Sequence, residues 1–174
     1  ANDFRYTAAG AVSSLKLGNG KFESTTFNSR LQPTQIALGN SVGDSSSLKL
    51  DYGYGTTANN GNVLSQSITV KRPGTSDLVF DQTYTYDSLN RLSIAEEKTG
   101  TTSNWKQTFT FDRYGNRRFD QSNTTMPSSF ANTNLTNPTF NTSNNRMASG
   151  QNWTYDAAGN VTVDPDGRTF TYDS

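Results

Sequence analysis

An aromatic residue followed at once by Asp, then by two variable residues and a Gly or Asn, constrains this chain more than any other feature. Three full copies occur, in "TYTYDSLNRLSIAEE", "TFTFDRYGNRRFDQ" and "WTYDAAGNVTVD". They place Tyr86, Asp87, Asn90 and Arg91 in register with Phe111, Asp112, Gly115, Asn116 and Arg117, and with Tyr155, Asp156, Gly159 and Asn160. Before each pair, β-branched and aromatic residues alternate, as in Thr108 to Phe111 and Thr169 to Tyr172, which is the period of a strand. An Asp side chain accepts backbone N–H groups two residues on, and Gly or Asn tolerates positive φ. Each copy therefore predicts a strand, a tied turn and a return strand.

Weaker copies keep the register. "FRYTAAGAVSSLKL" has Tyr6, Thr7 and Gly10, and "TFNTSNNRMAS" has Phe140, Asn141 and Asn145. "TTFNSRLQPTQI" supplies Phe27, Asn28, Arg30 and Leu31 in a turn that reads as shortened. "LKLDYGYGTTANNGNVLSQSITV" reads as a copy with a longer tip, starting at Leu50-Asp51 and resuming at Gly61-Asn62-Val63, and a last copy opens at Tyr172-Asp173. "VDPDGRTF" predicts a second tight turn, with Pro165 presetting φ and Gly167 closing a three-residue hairpin with a bulge. The loose recurrence is that of stacked repeat units.

Composition agrees with a thin fold. Hydrophobic residues are 31% of the chain, against about 45–50% in globular domains, and the deficit is filled by Ser, Thr, Asn, Gln and Gly. Fifteen basic against fifteen acidic side chains give no electrostatic attraction to nucleic acid or anionic lipid. No 18-residue apolar run is present, so no membrane insertion is expected. With neither His nor Cys, zinc, disulfides and Cys- or Ser-His nucleophiles drop out together. Residues 1–174 therefore read as one all-β region of repeated antiparallel hairpins with little or no helix. Within it, 121–145 is a polar Asn/Ser/Thr-rich excursion carrying Phe130, Leu135 and Phe140, either a degenerate repeat anchored by Phe140 or a surface loop.

"YDSLNRL", "FDRYGNR" and "YDAAGNV", together with "FNSRLQPTQI" and "DPDGRTFTYDS", resemble the YD repeats of Rhs proteins, bacterial shells related to teneurins and to the B and C components of Tc toxins. The resemblance implies a curved or spiral ribbon of hairpins, in complete members a shell around a C-terminal passenger such as a toxin. It makes the motif residues named above, Tyr172 and Asp173 included, architectural. It also implies a bacterial, secreted or cell-surface setting, with neighbouring repeats of a longer chain as partners. The family's self-cleaving C-terminal core is not matched, since "DPDGR" only superficially resembles its hallmark. The halt at Tyr172-Asp173 is that of a fragment.

Three functional readings follow. The first is mechanical: hairpins too small to bury their own faces stack into a stiff wall or fibre, with no catalytic residue, cofactor or metal. The second is a glycan- or protein-binding surface that uses Tyr52, Tyr54, Trp105 and Trp153, whose rings offer flat apolar faces with polar edges, against the plainer reading, ranked above it, that the same rings fill the seam between hairpins. The third is hydrolysis by a carboxylate pair, for which no pair stands apart from the turn aspartates. Asp164 and Asp166 lack the further oxygen ligands of a calcium loop. Exposed strand edges add self-association to the expected partners.

Overall fold

The computed structural model describes residues 1–125 and 133–173. Phe130, and with it part of the polar excursion, lies outside the described residues. The chain divides into two compact units, Ala1–Asn104 and Trp105–Ser174.

The first unit is an antiparallel meander of eight strands. These are β1 (Asn2–Tyr6), β2 (Val12–Lys16), β3 (Phe22–Phe27), β4 (Pro33–Gly39), β5 (Leu48–Gly53), β6 (Ser65–Val70), β7 (Leu78–Tyr86) and β8 (Leu92–Thr99). Each strand pairs with its chain neighbours in turn. The register aligns Ile36, Leu50, Ile68 and Phe80 across β4 to β7, and Leu38, Leu48, Val70 and Leu78 two residues further on. Residues directly opposite on antiparallel strands share a face, so the two rows form one apolar face. Ser67 stands between Asp51 and Asp81 on the other. In the first unit only Ala37 and Ala95 are buried hydrophobic residues among those described. The low apolar content thus gives a sheet whose large side chains are half-buried or, as at Phe4, Tyr6 and Leu78, exposed.

β9 (Thr102–Phe111) starts at the end of the first unit, and its later residues pair with β10 (Arg117–Phe119). The second unit also holds the hairpin β11 (Thr154–Tyr155) and β12 (Val161–Val163), and a single helical turn α1 (Thr133–Thr136). Among its described residues the buried hydrophobic one is Phe109, its ring centroid 5.1 Å from that of Phe119, with the Arg117 guanidinium 4.9 and 5.0 Å from the two rings. In the excursion, Phe140 bridges to Met147 across a turn at 141–146, so that part is an ordered hairpin copy.

One turn recurs throughout. Its first residue donates its N–H to the carbonyl four residues on, and its carbonyl accepts from the fourth residue of the turn. The pairs are Asp87 N to Arg91 O (2.9 Å) with Asn90 N to Asp87 O (3.0 Å), and Asp156 N to Asn160 O (3.0 Å) with Gly159 N to Asp156 O (3.1 Å). That fourth residue has positive φ, 59° at Asn90 and 95° at Gly159, the three-residue loop with a left-handed bulge. Asp164 to Arg168 makes the same turn, so "DPDG" is a repeat turn with Val163 in the aromatic place.

Two readings of the sequence need correction. The turn after Phe27 is not shortened: Asn28 N reaches Gln32 O at 3.0 Å, and Leu31, at φ 59°, takes the place Gly holds elsewhere. A further copy, Leu17 to Lys21, closes with 2.7 Å and 2.9 Å bonds although Leu stands where Asp is expected.

The return strand carries a second repeating signal. Tyr6 pairs with Val12 but Arg5 with Ser14, leaving Ser13 extra; the same slip leaves Thr34, Ser93 and Thr162 extra. The seventh residue after the aromatic is thus Ser or Thr in every copy with a bulge. Where that place holds Glu23 or Arg118, the ladder runs on without a slip. A bulge frees a ladder carbonyl, and a hydroxyl satisfies it: Ser93 Oγ donates to Thr85 O at 3.0 Å and Thr34 Oγ1 to Thr26 O at 3.2 Å.

Left-handed backbone costs a side-chain-bearing residue such as Leu about 1–2 kcal/mol, and Asn tolerates it better. Leu31→Asn should therefore raise Tm by about 2–4 °C, read by thermal unfolding; an unchanged or lower Tm would contradict the turn geometry.

Candidate functional site

The residues singled out in the sequence gather at the turns, where two sets of bonds recur. Within a turn, the first side chain ties the loop. Asp87 Oδ1 accepts from Leu89 N and Arg91 N, both at 2.9 Å, while Oδ2 receives Arg91 Nε at 2.7 Å. Asp112 accepts from Tyr114 N (2.8 Å), Asn116 N (3.0 Å) and Asn116 Nδ2 (2.8 Å), and Asp156 from Asn160 N and Nδ2 at 2.8 and 3.0 Å. Asn28 ties its own turn through Arg30 N and Gln32 N, at 2.9 and 3.0 Å.

These bonds favour the charged form. The Arg91 N–H, with Arg91's side chain, holds the Asp87 carboxyl below its ordinary value. The side chain and N–H of Asn116 do the same for Asp112, and those of Asn160 for Asp156. Every aspartate with a resolved shift is held low, including Asp51, whose burial is outweighed by Lys49 and Gln35. These groups are stable anions at neutral pH, whereas a carboxylic general acid needs a raised value. Asp164 and Asp166 are taken up by the turn amides and by Arg168.

Between hairpins, the aromatic hydroxyl is the link. Tyr86 Oη donates to Val63 O at 2.9 Å, Tyr54 Oη to Pro33 O at 2.9 Å and Tyr172 Oη to Val161 O at 3.0 Å, while Tyr155 Oη accepts from Met147 N at 3.0 Å. Pro33, Val161 and Met147 are each the residue that pairs with the preceding copy's aromatic. At Tyr54, Tyr86, Tyr155 and Tyr172 one hydroxyl therefore fixes the copy to the backbone of an earlier one. Phe111 has no hydroxyl for this bond. Tyr54, not Leu50-Asp51, is the anchor of the long-tipped copy; Asp51 lies inside β5, held by Gln35 Nε2 at 2.8 Å and Lys49 Nζ at 2.8 Å.

The turn tips are also joined sideways. Asn59 exchanges two bonds with Gln32 (2.9 and 2.6 Å), and Asn90 Oδ1 accepts from Asn60 Nδ2 (2.7 Å) and Asn62 Nδ2 (3.1 Å). In the second unit Asn116 Nδ2 donates to Asn145 Oδ1. Arg146 lies over the Tyr155 ring at 5.2 Å, and its terminal nitrogen would stand 2.5 Å from a Cβ at position 159. A side chain at 159 would displace the end of Arg146, while the positive φ of 95° is what favours Gly there.

Of the four aromatics offered as ligand-facing, Tyr54 anchors the long-tipped turn, Tyr52 lies in β5, Trp105 in β9 and Trp153 just before β11. Tyr52, Tyr54, Trp105 and Trp153 are all half-buried. Tyr52 Oη accepts from Gln66 Nε2 at 3.3 Å, and Trp153 Nε1 donates to Asn134 O at 3.0 Å. Among the described residues the large exposed rings are Phe4, Tyr6, Tyr114, Phe170 and Tyr172. Comparison with protein-family models and with curated proteins gave no match to the chain. No helix among the described residues is long and apolar enough to cross a membrane, which says nothing of a β-barrel.

Two predictions follow from the bonding. A hydrogen bond of this kind contributes about 0.5–1.5 kcal/mol, so Tyr86→Phe should destabilise the chain by about that much in denaturant unfolding. Equal stability would mean that the hydroxyl is solvated. The aspartates' folded values lie below their unfolded ones, so their stabilisation is present above the ordinary value of 3.8 and is lost as pH falls through the depressed values. Tm should hold level from pH 7 to about pH 5 and drop below about pH 4; a rise on acidification would contradict the assignment.

Proposed function

We propose that this chain is a structural segment of a YD-repeat ribbon of the Rhs type, a length of wall or fibre that works by stiffness, in a secreted or cell-surface bacterial protein. One observation carries the reading: the motif tyrosine of one copy bonds the backbone of the copy before it, at Tyr54, Tyr86, Tyr155 and Tyr172. A residue type used repeatedly to join neighbours makes each repeat a link, the organisation of a repeat array. Asp87, Asp112 and Asp156 point the same way, since each is consumed by its own turn and held in the inert charged form. In full-length relatives of this kind the ribbon encloses a C-terminal passenger, and we extend that role to the longer protein to which this segment would belong.

The test is where the protein sits and how it resists attack. Antibody against the chain should label intact producing cells or the medium, and trypsin added to those cells should leave a resistant core despite 15 Lys and Arg residues. Protein confined to the cytosol, or cut throughout at rates typical of unfolded chain, would overturn the reading.

A further inference from the structure

The connection from Gly53 to Leu64 is where the first unit leaves its repeat turn. The neighbouring copies on that rim turn within Thr7–Ala11, Asn28–Gln32 and Asp87–Arg91, whereas here residues 54–64 separate β5 from β6. Long connections on a rigid scaffold are where binding groups are placed. This one forms a broad, solvent-open cleft of about 670 Å³ against the turn before it, lined by Asn28, Ser29, Arg30 and residues 55–60. That volume lies in the range of small-ligand sites, about 300–1,000 Å³.

The lining has a definite chemistry. No carboxylate is in it. At Asp87 and Asp164 the turn's first residue is an acid that neutralises the arginine four residues on. Here the first residue is the uncharged Asn28, and Arg30 has no carboxylate partner among the described residues; one guanidinium nitrogen donates to Asn59 O, which leaves other N–H groups of the fork for a ligand. Ser29, Thr56 and Thr57 are exposed and make no side-chain hydrogen bond among the described residues. A planar guanidinium matches a carboxylate with two parallel N–H···O bonds. The surrounding hydroxyls suit a polyhydroxylated body, because each both donates and accepts.

We infer that the cleft between Arg30 and the 55–60 loop binds an acidic sugar of the uronic acid class, its carboxylate on Arg30 and its hydroxyls on Ser29, Thr56 and Thr57. The site stands whether or not the chain is a wall segment, since it depends only on the 28–32 turn and the loop beside it.

Amide-resolved titration of the whole chain tests this with D-glucuronate, D-glucose and inorganic sulfate as probes. Glucuronate should shift the amides of residues 28–32 and 55–60 saturably, with glucose and sulfate each binding at least about tenfold more weakly, the margin expected when a bidentate charged pair or the hydroxyl contacts are absent. Arg30→Gln should lose at least about tenfold in glucuronate affinity by the same pairing. Ser29→Asp, which keeps a residue suited to the turn and sets a like charge in the cleft, should lose as much. Arg118→Gln, at an exposed arginine outside the cleft, should leave binding unchanged. Absence of saturation, glucose or sulfate binding as tightly as glucuronate, or wild-type affinity in a folded Ser29→Asp variant would overturn the inference.

Discussion

A two-stranded hairpin is at best marginally stable in water, and this chain has too little apolar surface to rescue its hairpins one by one. What holds them is the bond from one hairpin to the next. In the first unit the strands pair in chain order without a crossover, and the rim adds the Tyr54 and Tyr86 hydroxyl bonds and the Asn59, Asn60 and Asn62 amide ladder. Take those away and the rows through Ile36 and Leu38 remain half-covered, because opposite strands of one layer cannot bury both faces.

The turn aspartate and the tyrosine before it divide the work. The aspartate acts inside its copy, closing the loop by accepting amides that would otherwise face water, and this fixes where the chain reverses. The tyrosine acts outside its copy and fixes which backbone atom of the previous hairpin it meets. Since the dipeptide joins the two, the distance between the reversal and the link is constant from Tyr86-Asp87 to Tyr155-Asp156. The Ser or Thr at the seventh place adds a bulge that sharpens the local twist of the return strand.

Much of this was legible in the sequence. Strand alternation, the tied turn and the need for Gly or Asn at the reversal could be read from Tyr86, Phe111 and Tyr155, because those depend on nearest neighbours along the chain. The 17–21 turn escaped because Lys16 and Leu17 stand where aromatic and acid were sought, while the backbone geometry needs only Gly20. Leu31 hid the length of its turn by occupying a conformation that leucine seldom adopts. The bond of Tyr54 to Pro33 O was not legible, since a hydroxyl's partner on another hairpin depends on pairing that local spacing does not reveal. The Ser/Thr rule at positions 13, 34, 93 and 162 could have been found by aligning the copies one strand further.

Native-state amide exchange, followed residue by residue on the unaltered chain, tests the central claim most directly. If the hairpins are bound to one another, the strand amides from β3 to β8 should open together, at one free energy and one denaturant dependence. Strand pairs that open separately, each with its own free energy graded by its own hairpin, would contradict it.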